Sequence, residues 1–121
     1  MDLVLVGVGG FFGAIARRSL DLAISERVEG AFPYGTLVIN VTGSALLGFL
    51  TGLVLHHGFA EMPMAVLGPG FCGGYTTFST HSLDTVQLAE GGAVRAAAVN
   101  VAANLLLGVA AAALGLALAS I

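Results

Sequence analysis

Between Gly70 and Ser82 the chain reads Gly-Phe-Cys-Gly-Gly-Tyr-Thr-Thr-Phe-Ser-Thr-His-Ser, a run of glycines, hydroxyls and rings set in otherwise apolar sequence. Each glycine costs a helix interior roughly 1 kcal/mol. The run therefore makes a poor continuous helix, and the pairs Pro69-Gly70 and Gly73-Gly74 predict its interruptions. Backbone groups released inside an apolar medium must be satisfied by protein, water or an ion. Free carbonyls suit a hard cation, whereas free N–H groups, hydroxyls and a helix N-terminus suit an anion. A kink patched by neighbouring hydroxyls is the structural alternative.

Polar and small residues elsewhere recur every four positions, which places them on one helix face. The lines are Gly9, Gly13, Arg17 and Asp21; Thr36, Asn40, Ser44, Gly48 and Gly52; and Ala96, Asn100, Asn104, Gly108 and Ala112. Small faces let membrane helices approach closely, and Gly9, Gly13, Ser44, Gly48 and Gly52 are read as packing residues. Asn40, Asn100 and Asn104 are costlier to bury, and a polar pathway and packing both stay open for them. No carboxylate falls in the middle of an apolar segment. Asp21 stands near the end of the first, close to Arg17, and Asp84 lies beyond the interruption. A proton-coupled exporter of cations normally needs a carboxylate at depth. An anion pathway lined by donors needs none, and the positive edge of an aromatic ring assists it.

The elements that position these residues follow from composition. Of 121 residues, 57% are hydrophobic and 9% charged, with no Lys and no Trp; mean hydropathy is +0.98. Soluble domains carry roughly a quarter charged residues, so much of this surface faces something other than water. About 20 apolar residues cross a bilayer as a helix. The expectation is an all-α integral membrane protein, one domain over residues 1–121. Its four transmembrane helices run from about Leu3 to Ile24, Tyr34 to Leu55, Met62 to Ala89 with the third broken, and Ala93 to the C-terminus. The polar segment Ser25 to Pro33 joins the first two. Asp2 stands where a signal peptide would be basic, and Arg17-Arg18 follow the apolar run, so the first segment reads as a retained helix. A net charge of −3 argues against a nucleic-acid partner. Cys72 is single, which excludes an internal disulfide. No set of nucleophile, base and oxyanion donors is visible, so an enzyme is not expected.

Four segments resemble the Fluc (CrcB) family of fluoride channels: Gly9 to Arg17, Gly35-Thr36-Leu37-Val38-Ile39-Asn40, Gly70 to Ser82, and Asn100 with its neighbours. They occur in the family's order and spacing. The resemblance implies an antiparallel (inverted), dual-topology dimer enclosing two fluoride pathways in the plasma membrane of a bacterium or archaeon. It also implies a central Na+, structural and not transported, held by backbone carbonyls of the broken helix, which by position are those of Gly73 and Thr76. Phe78 matches a phenylalanine that points its edge at fluoride. Asn40 matches the pathway asparagine. Ser79 and Thr80 fall on the hydroxyl track, Arg17 on the first-helix motif, and Asp84 near a pore mouth. Two departures stand out. His81 replaces the family's second phenylalanine, and Asn104 and Gly108 replace a track usually made of Ser or Thr. A neutral imidazole at His81 offers a positive edge or an N–H; alternatively this pathway has decayed and a partner chain supplies the intact one.

Passive conduction fits the physics. Fluoride is strongly hydrated, so fixed donors must replace its water, and conduction needs several modest sites. A negative-inside membrane drives an anion outward by about 2.3 kcal/mol per charge per 100 mV. The rival is a small coupled exporter of the four-helix dual-topology type; a purely structural membrane protein ranks third. The arginines complicate the dimer. Arg27 and Arg95, with Arg17 and Arg18 near a helix end, share one side, and the positive-inside rule then puts both termini outside. A homodimer and a hetero-dimer with an oppositely oriented homologue both stay open.

Overall fold

The computed structural model describes residues 3–30 and 32–121; Asp2, cited above against a signal peptide, lies outside them. The chain is helical in the order α1 (Leu3–Arg27), α2 (Tyr34–His57), α3 (Glu61–Ala65), a π-helical segment (Val66–Cys72), α4 (Gly73–Tyr75), α5 (Phe78–Glu90) and α6 (Val94–Ala119). The elements from Glu61 to Glu90 form one bent span, so the four expected helices are present. α1 and α2 run on to Arg27 and His57, past the predicted Ile24 and Leu55; the bent span gains one residue at each end, and α6 is slightly shorter than predicted, from Val94 to Ala119. α1, α2 and α6 are each long and apolar enough to cross a membrane. Short turns reverse the chain between spans. Gly58, at φ 63°, closes α2 by turning its N–H back to the Leu53 carbonyl, a left-handed cap that glycine adopts without a Cβ penalty.

Helix contacts use small residues. The most extensive packing joins α2 to α6. There a Cβ on Gly48 would strike the Ala112 backbone, and one on Gly115 the Ala45 carbonyl. α1 packs on the π segment in the same manner, with Gly9 against Val66 and Phe71 and Gly13 against the Phe71 carbonyl. The packing role read for Gly9, Gly13 and Gly48 therefore holds. The outer surface is apolar, with Leu3, Leu105, Leu106 and Leu114 exposed, as lipid contact requires.

The position of the break is a correction. Pro69-Gly70 does not interrupt the helix. The turns widen instead, and Gly73 N–H reaches back to Gly68 O, a π-type bond that accommodates an interior proline. Gly73-Gly74 stays helical as well, because Gly74 lies directly against the Gly10 backbone, and small residues here serve close packing. The chain leaves the helix at Thr76 and Thr77, both extended (φ −83°, ψ 159° and φ −151°, ψ 122°), a conformation that β-branched residues favour.

Candidate functional site

The break is held by one side chain from α2. Thr77 N–H donates to Asn40 Oδ1 at 3.1 Å, and Asn40 Nδ2 donates to Thr77 O at 3.3 Å. The amide pairs with both polar groups of one peptide residue as a neighbouring strand would, so the released backbone is satisfied within the protein. Two carbonyls lose their helical donors as a result. Thr77 N–H would have closed a turn on Gly73 O but goes to Asn40. Thr80 N–H would have closed one on Thr76 O but goes to Thr77 Oγ1 at 3.2 Å, where Thr77 caps α5.

From Asn40 a relay of amides runs outward. Asn40 Nδ2 donates to Asn104 Oδ1 at 3.2 Å. Asn104 Nδ2 donates to the backbone oxygen of Asn100 at 2.8 Å and to its Oδ1 at 3.0 Å. Asn100 Nδ2 lies 2.9 Å from Thr85 Oγ1 and 3.5 Å from His81 Nδ1. Thr85 Oγ1 in turn donates to the His81 carbonyl at 2.8 Å. One network thus ties α2, the break, α5 and α6. The three amides, left together by their spacing, separate here. Asn100 is 0% exposed and serves as the buried hub. Asn40 and Asn104 border open space.

That space is a groove of about 570 Å³, lined among others by Asn40, Ser44, Gly73, Thr76, Phe78, His81 and Asn104. Phe78 is 78% exposed and meets the His81 ring edge-on, with centroids 6.1 Å apart. A second cavity of about 310 Å³ sits at the start of α2, lined by Asp21, Ser25, Thr36, Thr80 and Asp84 among others. Thr77 and Thr80 hydroxyls, 3.3 Å apart, bridge the two, because Thr77 lines the groove and Thr80 the second cavity. Ser79 borders neither; its Oγ stands 3.3 Å from Thr77 Oγ1.

A family model described as "CrcB-like protein, Camphor Resistance (CrcB)" matches residues 4–116. The chain belongs to the CrcB family. A relative from Cutibacterium acnes named "Fluoride-specific ion channel FluC 2" is 47% identical over 121 residues, covering 99% of this chain and 98% of the relative. One from Symbiobacterium thermophilum, "Fluoride-specific ion channel FluC 1", is 50% identical over 120 residues, with 98% and 97% covered. A third, from Leifsonia xyli and also named "Fluoride-specific ion channel FluC 1", is 46% identical over 114 residues, with 94% and 83% covered. Three apolar spans and this membership make the chain a multi-pass membrane protein.

In this CrcB chain three residues matter more than the sequence reading allowed. Ser44, read as a packing residue, lines the groove, and among the described residues its hydroxyl meets no hydrogen-bond partner. Thr36 is buried and donates to Asp84 Oδ2 at 2.9 Å, which fixes the carboxylate in the second cavity. Thr85 anchors Asn100. The four-residue spacing already put Ser44 on the Asn40 face, but nothing in it separates a lining hydroxyl from a packed one. Arg17 is half-buried in α1. Among the described residues no ion pair joins it to Asp21, although the two stand one helical turn apart.

Proposed function

We propose that the chain is a passive, electrogenic fluoride channel that lowers cytoplasmic fluoride from within the plasma membrane of a bacterium. The observation that carries this is the groove at the Thr76–Thr77 break, formed by a chain whose near-full-length relatives bear the name of fluoride-specific channels. The lining is donor-bearing and aromatic, and no carboxylate borders it among the described residues. A coupled exporter of cations would require one there. The Asn40 amide donor is engaged with Thr77 O and Asn104 Oδ1, and the Asn104 donor with the backbone and side-chain oxygens of Asn100. Ser44 lies one turn beyond Asn40 along α2, and His81 one turn beyond Thr77 along α5. With the Phe78 ring edge they give several modest sites rather than one deep trap. Thr77, Thr80 and then Thr36 and Asp84 continue the route to the second cavity, which serves as its mouth. The test is electrogenic fluoride efflux from liposomes loaded with the purified chain, with no chloride efflux. Equal chloride efflux would overturn it.

On this reading two copies pair in inverted orientation and close the groove. The carbonyls of Gly73 and Thr76 fit a structural Na+ between copies. Their helical donors are diverted to Asn40 Oδ1 and Thr77 Oγ1, and a Cβ on Gly73 would meet nothing within 4 Å in its own subunit. The ion would supply a central positive charge that holds two broken spans together.

A further inference from the structure

The amide relay has a direction, and the direction fixes a proton. Thr77 N–H can only donate, so the atom of Asn40 facing it is the oxygen. Asn40 Nδ2 therefore faces Thr77 O and Asn104, so Asn104 presents its oxygen there. Asn104 Nδ2 then points at the Asn100 backbone oxygen, which can only accept, and at Asn100 Oδ1. That leaves Asn100 Nδ2 facing Thr85 and His81. Thr85 agrees independently. Its own proton is committed to the His81 carbonyl, so its oxygen must accept from Asn100. Two fixed backbone groups and one committed hydroxyl thus agree on the polarity of every amide. Such assignments follow from the network rather than from visible hydrogens.

The end of the relay is His81 Nδ1, 3.5 Å from the Asn100 nitrogen. A donor faces it, so Nδ1 accepts, and a neutral imidazole with one nitrogen accepting carries its proton on the other. His81 Nε2 then bears an N–H. Among the described residues no partner meets Nε2, and no unpartnered side-chain nitrogen is buried, so this N–H is open to the surroundings. His81 borders the groove beside the Phe78 edge. We propose that His81 donates a hydrogen bond from Nε2 to the conducted anion, and that Asn100 is the positioning residue that holds the required tautomer through the relay from Thr77 N–H. The proposal rests on the fluoride reading for the identity of the anion. It replaces the picture of a decayed pathway with a working donor, a compact N–H suited to a small, hard anion.

Two measurements test it, one without fluoride. The chain is reconstituted in lipid with ¹⁵N-labelled histidine at about pH 8.5, where the two neutral tautomers are compared. The His81 signal is identified by its loss in His81→Gln. The Nε2–H tautomer is expected in the wild type and its reversal in Asn100→Asp, where a carboxylate would accept from Nδ1–H. A wild-type His81 protonated at Nδ1, or a tautomer indifferent to Asn100→Asp in a folded protein, overturns the proposal. The second measurement is fluoride efflux from liposomes. His81→Gln, which keeps a donor, should stay within about threefold of wild type. His81→Leu should fall about tenfold or more, the loss of one hydrogen bond to a charged group. His81→Leu conducting like wild type overturns the donor role even if Asn100→Asp fails to fold. A wild type that passes no fluoride but holds the Nε2–H tautomer would instead overturn the channel reading and leave the relay intact.

Discussion

Asn40 has two duties that a single substitution tests together. Its oxygen takes the Thr77 N–H that would otherwise continue the helix, and its nitrogen starts the relay toward Asn104. Asn40→Asp keeps the first contact and loses both donor contacts. It sets a carboxylate against two oxygens, Thr77 O and Asn104 Oδ1, and brings negative charge to the proposed anion route. Fluoride efflux from a folded Asn40→Asp protein is expected to fall about a hundredfold or more, in line with several kcal/mol for a repelled charge in a low-dielectric site. Normal flux would remove Asn40 from the route. Ser44 offers a gentler comparison. Its hydroxyl borders the groove unspent, so Ser44→Ala should lower efflux about tenfold, since a hydrogen bond to a charged group is worth about 1.5–3 kcal/mol. Thermal melting in detergent should be unchanged, because no contact within the subunit is lost. Thr36→Val, at the proposed mouth, should cost stability as well. It removes the bond to Asp84 and leaves that oxygen unpaired, so melting should show a loss of about 1 kcal/mol.

At the scale of the helices, the tightest constraint lies where α1 meets the π segment. A methyl on Gly13 would overlap the Phe71 carbonyl, and nothing there is the flexible end of a side chain. Gly7, also on α1, meets nothing within 4 Å. Gly13→Ala should therefore lower the melting temperature sharply or prevent recovery of folded protein. Gly7→Ala should leave it unchanged or raise it, since alanine is favoured over glycine by up to about 1 kcal/mol in a helix. Equal effects would mean that α1 does not pack as described. The same elements explain what the sequence made legible. Helix number, approximate ends and the small-residue faces follow from hydropathy and a spacing of four, which are local properties. That the third span breaks also follows, from its density of glycine and hydroxyl. Where it breaks does not, because the deciding group is Asn40, thirty-seven positions away. Glycines that look like breakers act as contact points instead, as at Gly74 against Gly10. Burial is non-local in the same sense. Asn100 and Asn104 share a face by spacing, yet packing against α5 seals one and leaves the other at the groove.

For the whole molecule, the proposed inverted dimer requires both orientations, from one gene product or from two. Two features of the sequence pointed toward a second chain: the substitution of His81 for phenylalanine and the one-sided arginines. The relay weakens the first. A histidine whose tautomer is set by a network reaching back to the break, and whose ring meets Phe78 edge-on, has the surroundings of a working group rather than of a decayed one. Only the charge bias is left. Arg27 at the end of α1 and Arg95 at the start of α6 lie on the side of the second cavity, whereas the turn between α2 and α3 carries no Lys or Arg and is followed by Glu61 at the start of α3. Two loop arginines orient a chain weakly, and acidic residues count little, so both orientations should be populated. The chain expressed alone with a C-terminal topology reporter is expected to signal from both sides and to yield full fluoride efflux. Ala60→Arg, placed in the turn opposite the arginines, should bring the two reporter signals closer to equal and raise the recovery of dimer. A one-sided reporter, no efflux from the chain alone, and efflux restored by Ala60→Arg would together mean that the native chain depends on an oppositely oriented partner.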